Sequence, residues 1–331
     1  MNREFFRIFC DYKQITLRYD VKHRAIWCHY NPSPRPCFSP LMLQEIRQWL
    51  QSVINYFESK EPNSESPIRY LIVQSQVPGI FSMGGDLALF SKLIREQNRE
   101  QLLEYATQCI DVLYLYSVNL NLPLTTICLV EGAALGGGFE CALSSNVLIA
   151  TENAEMGFPE IRFNLFPGMG AYSFLARTCG IAIAEKMLGG GQMYSARKLY
   201  DMGVVHHLGK TGKGVESVEK FMRQHQQASN GHRALQQVRQ CYNPTSYKEL
   251  ADITELWVDA ALRLEDENLR LIDRLVKAQS SKMTKQNGKS LTRTKQDRRF
   301  VRQQPTFPLS DWSGETIMFD RRKNPERRLY S

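Results

Sequence analysis

Glu131-Gly132-Ala133-Ala134-Leu135-Gly136-Gly137-Gly138-Phe139-Glu140 decides the reading of this chain. An apolar strand, Val130 to Leu135, runs into three glycines and then into a helix over about Phe139 to Ser144 whose first turn carries Glu140. Side-chain-free residues let a ligand approach the main chain, and N–H groups at a helix start favour negative charge, including a developing oxyanion. Twenty residues on stands a second carboxylate, in Phe158-Pro159-Glu160-Ile161. Burial in that apolar setting would lift it above the usual value of about 4.3, as a proton donor near neutral pH requires. Two acids beside an open backbone point to acid/base chemistry on a carbonyl compound. Taken singly, Glu140 also fits a dipole-matched surface acid, and Glu160 a loop acid paired with Arg162.

A second glycine segment, Phe81-Ser82-Met83-Gly84-Gly85-Asp86-Leu87, ends a loop and opens a helix. Asp86 stands where an N-cap acceptor is wanted, and we read it as a cap rather than a catalytic group. Together the two glycine segments offer two N–H donors to one oxygen. Other chemistries fit less well. No Gly-Lys-Ser/Thr follows the glycines and they do not match G-x-G-x-x-G, so nucleotide phosphate binding is not indicated. The six histidines show no metal-ligand spacing, and no G-x-S-x-G elbow is present. The loops near Glu140 and Glu160 lack the aromatic platforms expected for sugar hydrolysis by paired carboxylates.

Composition sets the bounds. In 331 residues, 43% hydrophobic and 23% charged, the chain has the balance of a soluble globular protein. Residues 281–331 hold 13 Lys/Arg against 5 Asp/Glu, a surplus equal to the formal +8 of the whole chain. The body is therefore neutral, which argues against nucleic-acid binding by the fold. The basic tail reads as solvated and mobile, with docking on acidic protein, nucleic acid or anionic lipid as the alternative. Eight cysteines without a C-x-x-C pair read as reduced and structural. The start has no secretion signal, and the apolar window Thr125 to Ala150 contains Glu131 and Glu140, so no membrane span and a cytoplasmic location are expected.

Strand and helix patterns alternate along the first part of the chain. Ile15–Tyr19 and Ala25–Tyr30 read as a hairpin, Tyr70–Gln74, Thr125–Val130 and Val147–Ala150 as buried strands, and Leu41–Phe57 and Arg99–Val118 as helices. That spacing predicts an α/β layer structure with crossover connections. Past Gly189 the strand signal fades, and residues 195 to 279 read as helical, the last long helix containing Leu256, Trp257, Leu264, Leu269, Ile272 and Leu275. We therefore expect an α/β core over 1–194, a helical C-terminal subdomain over 195–280 and a basic tail over 281–331, flexible at least from 280 to 304.

These segments resemble the crotonase (enoyl-CoA hydratase/isomerase) superfamily. The likeness rests on Phe81 to Leu87, Glu131 to Glu140, Met156 to Ile161 with Phe166 to Ala171, and Tyr194 to Val205, four motifs in order. Within it the chain is most similar to bacterial diffusible-signal-factor synthases over roughly residues 10 to 280. Arg35 to Phe38, Gly84 to Phe90, Gly136 to Glu140, Leu165 to Leu175 and Leu256 to Asp259 carry that finer likeness. The resemblance implies a ClpP/crotonase-like α/β fold of repeated ββα units, with the N–H groups of Gly85 and Gly137 as oxyanion donors and Glu140 and Glu160 as the acid/base pair. Gly84 and Gly136 fall in the substrate-binding loops, and Leu135, Met169 and Trp257 at positions like an acyl pocket, where plain core packing explains them equally well.

The implied activity is dehydration of a 3-hydroxyacyl carrier-protein thioester followed by thioester hydrolysis, releasing a cis-2-unsaturated fatty acid signal. An ordinary enoyl-CoA hydratase/isomerase is the nearest alternative, and a non-catalytic regulatory scaffold is the alternative from another class. The resemblance implies no cofactor or metal, a homotrimer, an acyl-ACP or acyl-CoA substrate, and association with the receiver domain of a sensor kinase.

Overall fold

The computed structural model describes residues 3–60, 66–293, 309–310 and 316–317. Helix α1 (Arg3–Arg7) precedes strands β1 (Ile15–Asp20) and β2 (Ala25–Tyr30), helix α2 (Pro40–Glu58), strands β3 (Tyr70–Ser75) and β4 (Ile80–Ser82), and helices α3 (Leu87–Arg95) and α4 (Arg99–Ser117). Then follow β5 (Thr125–Val130), β6 (Ala133–Leu135), α5 (Gly137–Ser144), β7 (Val147–Thr151), β8 (Glu155–Gly157), α6 (Ala171–Cys179) and α7 (Ile181–Gly190). The C-terminal part holds β9 (Met193–Ser195), α8 (Ala196–Asp201), β10 (His207–Gly209), α9 (Gly214–Gln227), α10 (Ser229–Tyr242), α11 (Tyr247–Ala261) and α12 (Asp266–Arg293), with β11 (Leu309–Ser310) and β12 (Thr316–Ile317) beyond.

Ten of these strands form two sheets. One runs β1-β2-β3-β5-β7-β10 and the other β4-β6-β8-β9. Each of the pairs β3/β4, β5/β6 and β7/β8 therefore sends its first strand to the large sheet and its second to the small one before the chain turns helical, which is the repeated ββα unit. Neighbours from β2 to β10 in the large sheet are parallel, β1 joins its edge antiparallel, and β9 is the antiparallel edge of the small sheet. Alternate residues of the large sheet enter two cores. Ile26, Cys28, Leu71, Val73, Cys128 and Val130 join the main core with residues of α2 and α4, while Trp27, Tyr70, Ile72, Ile127, Leu129 and Ile149 meet Val218 and Met222 of α9. A parallel sheet covered on both faces needs such continuous apolar strands, and β5 is buried at all six positions.

The helix starts follow from their caps. Ser39 accepts from the Met42 N–H with Pro40 in the first turn of α2, Asn98 accepts from Gln101 ahead of α4, and Ser246 from Glu249 ahead of α11.

Three features differ from the sequence reading. The apolar run Val130 to Leu135 is two strands in two sheets, because the chain turns a corner at Glu131-Gly132; three-residue strands are too short to carry a period. Residues past Gly189 still contribute strands: β9 closes the small sheet and β10 extends the large one beside β7. The last long helix is two, α11 and α12, separated by a turn in which the Glu265 N–H donates to Asn268 Oδ1 at 3.2 Å.

By its internal contacts the chain divides into Met1–Met283 and Thr284–Ser331. In the second unit the described residues are helical to Arg293, so the stretch expected to be flexible from 280 begins as helix, and Leu309 pairs with Ile317 in an antiparallel ladder. The rest of the basic tail lies outside the described residues. No described helix is long and apolar enough to cross a membrane.

Candidate active site

Strands β6 and β8 lie side by side with Leu135 opposite Gly157, and the Gly136 N–H donates to the Gly157 carbonyl at 2.9 Å. One residue before Glu140 and two before Glu160, the rings of Phe139 and Phe158 stack 4.9 Å apart at 24°. This pairing brings the first turn of α5, with Glu140, against the 3₁₀ turn Glu160–Phe163. Both glutamates line one cavity of about 260 Å³. Gly84, Gly85, Leu135, Gly136, Gly137, Met169 and Trp257 line it too, so the nine candidate catalytic, oxyanion and substrate-binding residues border the same space.

The glycine loops shape one wall. Gly84 has φ +95°, and a Cβ there would stand 2.9 Å from the Leu135 carbonyl and 3.3 Å from the Gly137 nitrogen, so the two loops touch. Gly136 has φ +50°, and a Cβ there would fall 2.1 Å from Glu160 Oε1. Only glycine lets that carboxylate rest on the chain. The N–H groups of Gly85 and Gly137 donate to no hydrogen bond among the described residues. Neighbouring groups are committed: Phe38 N–H donates to the Gly84 carbonyl at 2.9 Å, Asp86 N–H to the Tyr105 hydroxyl at 3.0 Å, and that hydroxyl to the Phe38 carbonyl. The loop is thus pinned while two donors stay open. Asp86 caps α3 through the Leu89 N–H at 3.2 Å and pairs with Arg35 at 2.6 Å, which accounts for it without catalysis.

The two acids are buried differently. Glu140 is 1% exposed, and its Oε1 accepts from the Met169 N–H at 2.8 Å and the Ala171 N–H at 3.0 Å. Burial pushes its carboxyl up to about 7, and those two donors oppose the rise. Glu160 is half-buried as a residue, yet its Oε2 is enclosed and has no hydrogen-bond partner among the described residues. Burial first, and then the charge of Glu140, push Glu160 up to about 8. Between about pH 7 and 8 the pair is therefore partly protonated, with the proton favouring Glu160 over Glu140, whose anion accepts the two N–H donors. Two carboxyls and two N–H groups without a partner among the described residues thus belong to residues lining one cavity, a set suited to moving protons at the carbons next to a carbonyl whose oxygen takes up charge.

Apolar side chains make the remaining wall, and the sequence showed only part of it. Trp257 of α11 lies against Phe90 with ring centroids 5.0 Å apart, and Ile272, Leu275 and Gln279 of α12 complete the lining. The α12 residues share a helix face at steps of three and four, a pattern visible in the sequence but equally consistent with plain packing on the core. Tyr105, which pins the glycine loop, had no motif to mark it.

Residues 44–268 match the family model described as enoyl-CoA hydratase/isomerase. The chain belongs to this family. Its α/β crotonase fold agrees with that membership. Among curated relatives, a probable mitochondrial enoyl-CoA hydratase 2 of Arabidopsis thaliana is 30% identical over 178 residues, 54% of this chain and 56% of that protein. An enoyl-CoA isomerase/hydratase of Mycosarcoma maydis is 30% identical over 179 residues, 54% of this chain and 62% of that protein. The matches thus span little more than half the length of these enoyl-CoA hydratase/isomerase relatives. Of solved structures, an enoyl-CoA hydratase from Bacillus halodurans superposes with a TM-score of 0.65 at 18% identity, covering 79% of this chain and all of that one, a likeness of fold.

Proposed function

We propose that the protein hydrates 2-enoyl-CoA thioesters and runs the reverse dehydration of 3-hydroxyacyl thioesters, as an enzyme of the enoyl-CoA hydratase/isomerase type. What supports this reading is that Glu140, Glu160, Gly85 and Gly137 all line one cavity, and that the N–H groups of both glycines have no hydrogen-bond partner among the described residues. The thioester oxygen accepts from both N–H groups. Glu140, held as the anion by Met169 and Ala171, takes a proton from water as it attacks the β-carbon. Glu160, the proton holder, delivers its proton to the α-carbon as the enolate collapses. The carboxyl roles exchange in the reverse direction, so either direction needs one proton on the pair.

A second reading, synthesis of a diffusible fatty-acid signal, rests on the sequence resemblance; Leu135, Met169 and Trp257 line the same apolar cavity, which suits an acyl chain under either reading. There the substrate is a 3-hydroxyacyl thioester of acyl carrier protein, and water attacks the thioester carbon once the cis-2 double bond has formed, freeing the acid. A homotrimer, a cytoplasmic location and docking of a sensor-kinase receiver domain belong to that reading. Light scattering, fractionation and pull-down check them in turn.

One experiment separates the two readings. Purified protein is incubated with matched CoA and carrier-protein thioesters, both 2-enoyl and 3-hydroxyacyl, and products are identified by mass spectrometry. Interconversion of the CoA esters without free acid is the result expected; release of a free 2-unsaturated acid from the carrier-protein ester supports the signal synthase. No turnover of any thioester leaves a non-catalytic scaffold.

A further inference from the structure

Two of the residues that line the cavity each hold an enclosed polar atom without a hydrogen-bond partner among the described residues: Glu160 with Oε2, which the proposed chemistry employs, and Gln279 with Oε1, which it does not. Gln279 is 2% exposed and reaches the cavity from α12. Its Nε2 donates to the Met83 carbonyl at 3.0 Å. The opposite orientation of the amide would set two carbonyl oxygens against each other, so the hydrogen bond fixes the free atom as an acceptor. An acceptor buried without a partner is costly, and a ligand that brings an N–H or O–H recovers that cost.

Resting on the thioester reading above, we propose that Gln279 is a specificity-determining residue whose Oε1 accepts from the first amide N–H of the thioester's carrier arm. Met83 lies two residues before Gly85, which places its carbonyl, and the amide bonded to it, within about 7 Å of the oxyanion donor at roughly 3.3 Å per residue. In a CoA or carrier-protein thioester the first amide nitrogen is four bonds from the thioester carbon, a span of about 5 Å. The acyl side supplies no competing donor. A 3-hydroxyl is taken up by the glutamates, and a plain hydrocarbon chain carries no other. Gln279 thereby distinguishes a substrate on its amide-bearing arm from a thioester of the same acid that lacks the amide, and ties that choice to the loop bearing Gly85.

The test uses two small thioesters of one enoyl acid, on N-acetylcysteamine and on its 2-acetoxyethyl analogue, which replaces only the N–H by oxygen. The wild-type protein should favour the amide thioester by about 10-fold in kcat/KM, and Gln279→Met should bring the ratio near 1 by losing activity on the amide thioester alone. Equal ratios in both proteins, with turnover intact, overturn the proposal and leave the hydratase reading standing. A Gln279→Met effect confined to substrates with an additional hydroxyl on the acyl chain places the donor there and also overturns it. Absence of turnover of every thioester, the CoA ester included, overturns the hydratase reading and this proposal with it. Should Gln279→Met fail to fold, a wild-type ratio near 1 is enough to overturn the proposal, and Gln279→Asn, which withdraws the acceptor, takes its place in the comparison.

Discussion

The cavity has two unlike walls. The one carrying Gly84, Gly85, Gly136, Gly137, Glu140 and Glu160 is set by main-chain geometry: sheet pairing between β6 and β8, left-handed glycines and N–H groups held in place by neighbouring hydrogen bonds. The wall from α11 and α12 is set by side-chain packing, with Trp257 at 2% exposure and Ile272 at 1%. Packed apolar surfaces tolerate volume-conserving change, whereas an N–H donor or a carboxylate displaced by an ångström loses its partner. On the proposed reading, chemistry belongs to the first wall and choice of acyl chain to the second.

The largest break in this contrast comes from the acids. Glu140→Gln and Glu160→Gln should each lower kcat by about 10²- to 10⁴-fold, and the double variant should cost far less than the product of the two, since the pair acts as a unit. Steady-state rates on an enoyl-CoA ester measure this. Next is Gly137→Pro, which removes one donor at the first position of α5, where proline suits a helix start. It should cost about 10²- to 10³-fold in kcat with the circular dichroism spectrum retained.

The pH profile sharpens the account of the first wall. On the proposed mechanism Glu140 must be charged for hydration, so kcat/KM should fall as pH drops below about 7; Glu160 must be protonated, so it should fall as pH rises above about 8. The expected curve is a narrow bell between those limits, steepening to about 10-fold per unit on each side. Glu140→Gln should flatten the acid limb of whatever activity remains. The smallest effect concerns the second wall. Trp257→Phe should leave kcat on a short enoyl ester unchanged and shift the long-to-short ratio of kcat/KM by about 10-fold, read from a chain-length series.

The same division explains how much the sequence disclosed. Runs of glycine beside a carboxylate are chemically particular, so Gly84-Gly85, Gly136 to Gly138, Glu140 and Glu160 stood out, and the strand and helix periods around them indicated an α/β layer fold. What brings Glu140 to Glu160 is the pairing of three-residue strands in a second sheet and the stacking of Phe139 on Phe158, contacts with no local signature. β10 was hidden for the same reason, a three-residue strand at the sheet edge within a largely helical stretch. Ile272, Leu275 and Gln279 lay in a helix whose apolar face reads alike whether it covers a core or a ligand. Tyr105 acts through its hydroxyl on a loop far off in sequence, which no spacing rule reveals.

The central claim is that two buried carboxyls share one proton across a single cavity. Carbon-13 NMR of protein labelled at the glutamate carboxyl, assigned with Glu140→Gln and Glu160→Gln, follows each titration directly. Both resonances should titrate well above the ordinary glutamate range, Glu140 near 7 and Glu160 near 8, and removing Glu140 should lower the Glu160 value by lifting the repulsion between them. Two independent titrations near the ordinary value of about 4.3 would contradict the account.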